Sequence, residues 1–308
     1  MKQFRHEPVL LAEVIEGLAI QPDGIYIDAT FGRGGHSRAI LERLSPKGRL
    51  LVFDKDPEAI SVAQGMGDQR MTVAHASFSK LREVVTGLGW LGTVDGMLMD
   101  LGVSSPQLDD SSRGFSFSAE GPLDMRMDSS KGESAAEWLK HVEEKDLARV
   151  LWEYGEERHS RRIARTIVNV RRESPIETTK QLANLIESAV PKQFFGMHVA
   201  TRSFQAIRIF INRELLDLED VLSQVLEVLS VNGRLCVISF HSLEDRPVKQ
   251  FIARASEGDP IPRGIPIRDA QRIRFAKKIG GLIRPSAEEI SNNPRSRSAR
   301  LRIMEKIA

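Results

Sequence analysis

The chain has 308 residues, 41% hydrophobic and 28% charged, with a formal net charge of +2, which gives a core for one large or two moderate domains and excludes a disordered chain. Its longest apolar runs, such as 9–12 and 235–238, fall far short of the ~20 residues of a membrane-spanning helix, and no apolar stretch follows Met1-Lys-Gln-Phe-Arg-His-Glu, so neither a membrane partner nor a secretory leader is expected. The single cysteine, Cys236, excludes an intrachain disulfide and a cysteine-based zinc site, and the expected compartment is the cytoplasm.

In chain order, short β-rich runs alternate with helical patterns, predicting strands at 25–29, 49–53, 71–75 and 94–99 and helices at 36–44, 57–64 and 80–86. Residues 104–131, rich in Gly, Ser and Asp, read as a long loop. Helices follow at 134–141, 144–154, 156–172 and 179–189, with one long helix from 201 to 229. A strand returns at 233–240, then a helix at 243–254, a Pro/Gly-rich loop and a last strand at 299–305. Alternating strand and helix imply an α/β fold around a parallel sheet, interrupted by an inserted all-helical domain. The expected boundaries are 1–105 for the first part of the sheet domain, 106–210 for the insertion and 211–308 for the second part.

Charge is uneven along the chain. Residues 246–308 hold 15 Lys+Arg against 6 Asp+Glu, and the remainder 29 against 36. A basic tail of this kind fits contact with phosphate, and equally a solvated surface.

The first predicted strand opens into Phe31-Gly-Arg-Gly-Gly-His-Ser. Glycines 32, 34 and 35 let the backbone approach a ligand, and the helix N-terminus behind them offers unsatisfied N–H groups. A dinucleotide fingerprint needs glycine at position 37, where Ser37 stands. Asp28 followed by Gly-x-Gly-Gly instead resembles the first motif of class I S-adenosylmethionine-dependent methyltransferases. The next strand ends at Asp54, an acid suited to accept both ribose hydroxyls, whereas Asp56 suits the N-cap of a helix opened by Pro57. Phe78, after the third strand, reads as an adenine-stacking face or as a core phenylalanine.

The fourth strand continues through Asp100 into Ser104-Ser-Pro-Gln. Methyltransferases acting on exocyclic amines carry a short polar segment with proline here. The amine lone pair is delocalised into the base, and acceptors for its N–H groups localise it for attack. Asp100, Ser104, Ser105 and Pro106 are therefore the candidate catalytic positions. Methylation of a cytosine ring carbon requires a cysteine nucleophile, and Cys236 in mid-strand is expected to be an inert core thiol.

The strings Thr30-Phe-Gly-Arg-Gly-Gly-His-Ser, Asp100-Leu-Gly-Val-Ser-Ser-Pro-Gln-Leu-Asp, Arg113-Gly-Phe-Ser-Phe, Gly121-Pro-Leu-Asp-Met-Arg-Met-Asp, Thr201-Arg-Ser-Phe-Gln-Ala-Ile-Arg-Ile-Phe-Ile-Asn and Ile238-Ser-Phe-His-Ser-Leu-Glu-Asp-Arg occur in order. Together they resemble the bacterial 16S ribosomal RNA cytosine-N4 methyltransferases, the MraW or RsmH family, over essentially the whole chain. The resemblance implies a class I (Rossmann-like) methyltransferase domain that uses S-adenosyl-L-methionine to methylate N4 of a cytidine in the decoding region of 16S rRNA, within the small ribosomal subunit. It further implies cofactor contacts at Gly34, Gly35, His36, Asp54, Phe78, Asp100 and Gln107. Asp100 then has two candidate roles, accepting from the methionine ammonium or holding the target amine, and its strand-end position suits the first.

Arg158, Arg162, Arg165 and Arg172 share one face of the predicted helix 156–172, with Ile163 and Ile167 on another. Such a stripe tracks phosphates or simply faces solvent. With an RNA substrate, these arginines and Arg295 and Arg297 of the tail become candidate RNA contacts. Phe115 and Phe117 read either as stackers for a splayed-out base or as loop anchors. His241, Ser242, Glu244 and Asp245 invite a hydrolase reading, but no G-x-S-x-G elbow is present, and no H-E-x-x-H or comparable metal spacing occurs. A nucleotide-dependent oxidoreductase and a non-catalytic ribosome assembly factor remain the alternatives. A homodimer is an expectation whose symmetry the sequence does not fix.

Overall fold

The computed structural model describes residues 8–191, 198–258 and 273–308. They form two compact units, one made of the chain up to Gly102 together with Leu215–Ala308, the other of Val103–Glu214. The divisions fall at 102/103 and 214/215, where the sequence reading placed them at 105/106 and 210/211. Val103 already packs against the helical core, and Leu218 is the first residue after the insertion to join the sheet core.

The first unit opens with α1 (Leu11–Leu18), β1 (Ile25–Asp28), α2 (Gly35–Leu41), β2 (Arg49–Asp54), α3 (Pro57–Gly65), β3 (Met71–His75), α4 (Leu81–Gly87) and β4 (Val94–Asp100). A strand covered on both faces reads as a continuous apolar run. Leu50, Leu51, Val52 and Phe53 of β2 are all fully buried. Their alternation divides them between two clusters, Leu51 and Phe53 in one and Leu50 and Val52 in the other. Asp56 caps α3, accepting from the Glu58 N–H at 3.0 Å, as its place before Pro57 predicts.

The second unit contains α5 (Ser105–Asp109), a 3₁₀ turn at Ser111–Arg113, α6 (Ala135–His141), α7 (Glu144–Gly155), α8 (Ser160–Val170), α9 (Thr179–Ala189) and α10 (Thr201–Ile211). α7 packs on α8 and α10 around Leu147, Leu151, Ile163, Ile167 and Ile207, all fully buried or nearly so. The irregular segment after the 3₁₀ turn is pinned from inside. Arg113, buried, donates to the carbonyls of Arg126 and Met127 at 3.1 and 2.9 Å.

The single helix expected over 201–229 is two, because Arg213 adopts a left-handed φ of 54° between α10 and α11 (Glu214–Val228). The break is held by Asn212, which accepts from the Met127 N–H at 2.7 Å and donates to the Met125 carbonyl at 2.7 Å.

The first unit resumes through α11, whose Val221, Leu222 and Val225 cover the sheet, then β5 (Leu229–Ser239), α12 (Ser242–Glu257), β6 (Ala276–Ile283), α13 (Ala287–Asn292) and β7 (Arg300–Lys306). α1, β6 and α13 are elements the sequence reading did not anticipate, as is α5, which lies within the segment expected to be a loop. The seven strands stand in the order β3-β2-β1-β4-β5-β7-β6. β1 to β5 run parallel, and β7 is antiparallel between β5 and β6. Winding reverses between β1 and β4, and open α/β sheets bind ligands outside the carboxyl ends of the strands at such a point. Among the described residues no helix is long and apolar enough to cross a membrane.

Candidate active site

At the end of β1 the Asp28 carboxylate accepts from the Thr30 N–H at 3.1 Å and from Ser37 Oγ at 2.6 Å. Ser37, the residue that breaks the dinucleotide pattern, thus ties the first turn of α2 to the strand. The turn between them requires its glycines. Gly34 has φ +75°, and a Cβ there would lie 2.6 Å from the Phe31 ring; at Gly35 it would meet Pro8 at 2.3 Å. His36 is buried, and its Nε2 lies 3.0 Å from the Val9 carbonyl. A carbonyl only accepts, so Nε2 carries the proton. Burial depresses the imidazole to about 4, which leaves the ring neutral with an Nδ1 lone pair.

Asp54 ends β2. One oxygen accepts from the Gly32 N–H at 2.8 Å and the other from the Asp56 N–H at 2.9 Å. Burial nevertheless pushes its carboxyl up to about 6, because two backbone donors do not replace the lost hydration. Phe78 begins a 3₁₀ turn after β3 and is partly buried against the sheet core.

Asp100 ends β4, its backbone N–H donating to Thr30 Oγ1 at 2.6 Å. The side chain keeps 26% of its surface open, yet Oδ1 is shielded from solvent and takes no hydrogen bond. Burial, then the neighbouring carboxylates Asp28 and Glu244, push this carboxyl up to about 8. Glu244, in the first turn of α12, accepts from the Phe240 N–H at 2.8 Å, and its other oxygen lies 3.0 Å from His241 Nε2. Asp28, Asp100 and Glu244 therefore form an acidic edge in which one buried oxygen lacks a donor. A cationic group placed there restores the charged carboxylate. S-adenosylmethionine, with a sulfonium and an ammonium, has that chemistry, and the residues present fit it.

The second unit begins just beyond this strand end. Ser104 is the N-cap of α5, Pro106 lies in its first turn, and Gln107 reaches back so that its Oε1 accepts from the Ser104 N–H at 2.9 Å. Ser-Ser-Pro-Gln is thus a capping box, a local signal that the sequence reading passed over. Ser105 and Gln107 are buried.

The RNA candidates separate. α8 begins at Ser160 and ends at Val170, so Arg158 and Arg172 flank it rather than extend its stripe. Arg162 and Arg165 are exposed on it, with Arg161 beside them, and Arg165 stands 3.5 Å from Glu144. Phe115 is buried in the helical core with the Arg113 guanidinium 5.8 Å above its ring. Phe117 packs against Phe204, ring centroids 4.8 Å apart. Both therefore anchor the loop, because a polar segment gains stability only by burying its apolar side chains. In the tail, Arg295 and Arg297 are exposed on a 3₁₀ turn. Arg300 and Arg302 instead turn inward to Asp245, at 3.1 Å from Arg300 Nη1 and at 2.7 and 3.0 Å from Arg302, which narrows the basic surface read from the sequence.

Residues 3–307 match the model of the MraW methylase family. The chain belongs to that family. It is similar to the ribosomal RNA small subunit methyltransferase H of Coxiella burnetii (strain Dugway 5J108-111), 55% identical over 305 residues, 98% of this chain and 99% of that one. The protein of the same name from Pseudoalteromonas atlantica is 55% identical over 308 residues, 99% of each chain. That from Alteromonas mediterranea is 54% identical, over 99% of this chain and 98% of its own. The first unit of this methylase is an α/β unit built on the seven-stranded sheet, and the named elements of the second are all helical.

Proposed function

We propose that this methylase transfers a methyl group from S-adenosylmethionine to the exocyclic N4 amine of a cytidine in the decoding region of 16S rRNA, in the small ribosomal subunit. The observation that carries the choice of an amine is the state of Cys236. Attack on a cytosine ring carbon needs a thiolate, and the one cysteine of this chain is fully buried in mid-strand, its thiol pushed up to about 12 by burial. The rRNA of the small subunit is the substrate class that the relatives' names carry.

When bound, the cofactor supplies a methyl carbon already activated on a sulfonium. The chain's own work is therefore positioning rather than strong base catalysis. Asp54 would accept from the ribose hydroxyls, Phe78 would cover the adenine, and the Gly34-Gly35 backbone would hold the amino-acid portion. Asp100 would accept from the ammonium, which leaves Ser104, Ser105 and Pro106, a few residues further along the chain, as candidates to hold the amine. The exposed arginines of α8, and separately those of the tail turn, are candidates to contact RNA phosphates.

The test is transfer of label from S-adenosylmethionine to unmethylated small subunits, with large subunits and DNA as controls, followed by nucleoside digestion and mass spectrometry. N4-methylcytidine from small subunits alone is expected. Label on a ring carbon or on another nucleoside would overturn the amine assignment.

A further inference from the structure

A buried ion pair lies beside the cofactor edge and is not needed for any contact assigned above. Asp217, near the start of α11, has a side chain 7% exposed, and its Oδ2 pairs with Lys55 Nζ, itself 21% exposed. The same oxygen accepts from Ser77 Oγ at 2.7 Å. Lys55 is the residue after Asp54, and Ser77 is the residue before Phe78. One carboxylate oxygen thus joins the chain just past β2 to the chain just past β3, at the two points where the ribose acid and the adenine-facing ring emerge.

The Ser77 hydroxyl also accepts from the Ser79 N–H at 3.1 Å and from Ser79 Oγ at 2.9 Å, so Asp217 orients the cap of the turn that begins at Phe78. α11 grips that turn a second time, Gln224 Nε2 donating to the Ser79 carbonyl at 2.9 Å. Ion pairs this deep contribute little net stability, since desolvation offsets the attraction. What this pair does fix is geometry. It also holds the Lys55 ammonium at Asp217.

We propose that Asp217, acting through Lys55 and Ser77, is a positioning residue for the adenosine half of the cofactor, setting the placement of Asp54 and Phe78 from behind. This rests on the reading of Asp54 as the ribose acceptor.

The test measures S-adenosylmethionine and S-adenosylhomocysteine affinity by calorimetry on full-length Asp217→Asn, Lys55→Met, Lys55→Arg and Asp54→Ala, with cofactor KM and kcat on small subunits. Asp217→Asn and Lys55→Met are each expected to weaken binding roughly tenfold, within the range that small misplacements cost. Cofactor KM should rise with kcat at saturation retained, and the double variant should be no weaker than either single one. Lys55→Arg, which keeps the charge, is expected to restore most of the affinity. Unchanged cofactor affinity in Asp217→Asn and Lys55→Met, whatever happens to their thermal midpoints, overturns the proposal while Asp54→Ala still weakens binding. If Asp54→Ala itself binds normally, the ribose reading beneath it is overturned. Should Asp217→Asn fail to fold, Ser77→Ala and Lys55→Met carry the same comparison.

Discussion

His36 Nδ1 stands 3.9 Å from Asp100 Oδ2, and the two do not form an ion pair. The imidazole has spent its only proton on the Val9 carbonyl and is held neutral by burial, so it presents a lone pair to a carboxyl group that itself favours protonation. Only the ionised carboxylate makes the two groups a pair of acceptors, so this neighbour does nothing to favour the charged form, which a cation between or beside them would stabilise.

This mismatch has a proton signature. The Asp100 carboxyl is raised from 3.8 to about 8 in the folded protein, so between those values the folded state holds a proton that the unfolded state has released. Its contribution to stability is fully present below the unfolded value and is lost as pH rises through about 8. A bound ammonium reverses the preference and expels the proton. Cofactor binding at pH 7 is expected to release up to about one proton, read as a dependence of calorimetric heat on buffer ionisation enthalpy. Asp100→Asn should remove that dependence; its persistence there would assign the release to another group.

Backbone and contact costs at the glycine turn can be measured apart. Gly34 and Gly67 both have positive φ, 75° and 64°, but only Gly34 has a ring against its missing Cβ. Alanine at either position is expected to cost about 1–2 kcal/mol for the left-handed backbone. Gly34→Ala should cost more and also lose cofactor affinity, by displacing Phe31. Equal thermal shifts with equal binding would show that the turn is not shaped for a ligand.

On α8 Arg161, Arg162 and Arg165 are exposed, and the adjacent pair to test is Arg161 and Arg162, the first of which lies outside the stripe read from the sequence. Replacing both with Ala is expected to weaken RNA binding and flatten the logarithmic salt dependence by about 1 to 1.5, near the value for two phosphate contacts to a single strand. An unchanged slope would remove this helix from the RNA surface.

Asn212 ties the end of α10 to the irregular segment at Met125 and Met127. Asn212→Ala strands those backbone groups and is expected to destabilise the protein by about 1–3 kcal/mol, measured by denaturant unfolding. A neutral result would mean that the segment is held by Arg113 and the buried Phe115 without it.

What the sequence revealed and what it concealed follow from the range of the interactions involved. The first four strands were legible to within a residue because burial writes residues 50–53 of β2 and 97–99 of β4 as apolar runs, while β1 and the partly buried edge strand β3 are short β-rich segments between helical patterns, and α3 was legible from its Asp-Pro start. The break after α10 was not, because Asn212 sits comfortably in a helical pattern and its partners lie some 85 residues back in the chain. β6 reads as a loop, since Lys277, Lys278, Gly280 and Gly281 suit an edge strand that discourages pairing, and it is a strand only through β7. Arg300 and Arg302 count toward the basic balance of the tail, but Asp245, 55 and 57 residues away, holds them. Of the site, the glycines and strand-end acids were visible as a pattern. The unsatisfied oxygen of Asp100 emerges only when three strands and α12 are assembled.

Cys236 is pinned between β4 and β7, opposite Leu98 on one side and Ile303 on the other. A thiol-alkylating reagent can reach its sulfur only when the middle of the sheet comes apart, so the modification rate counts the rarest openings of the native protein and ignores fraying at its edges. The molecule thereby carries a single-site clock for sheet opening, and any ligand that occupies the strand ends should slow it.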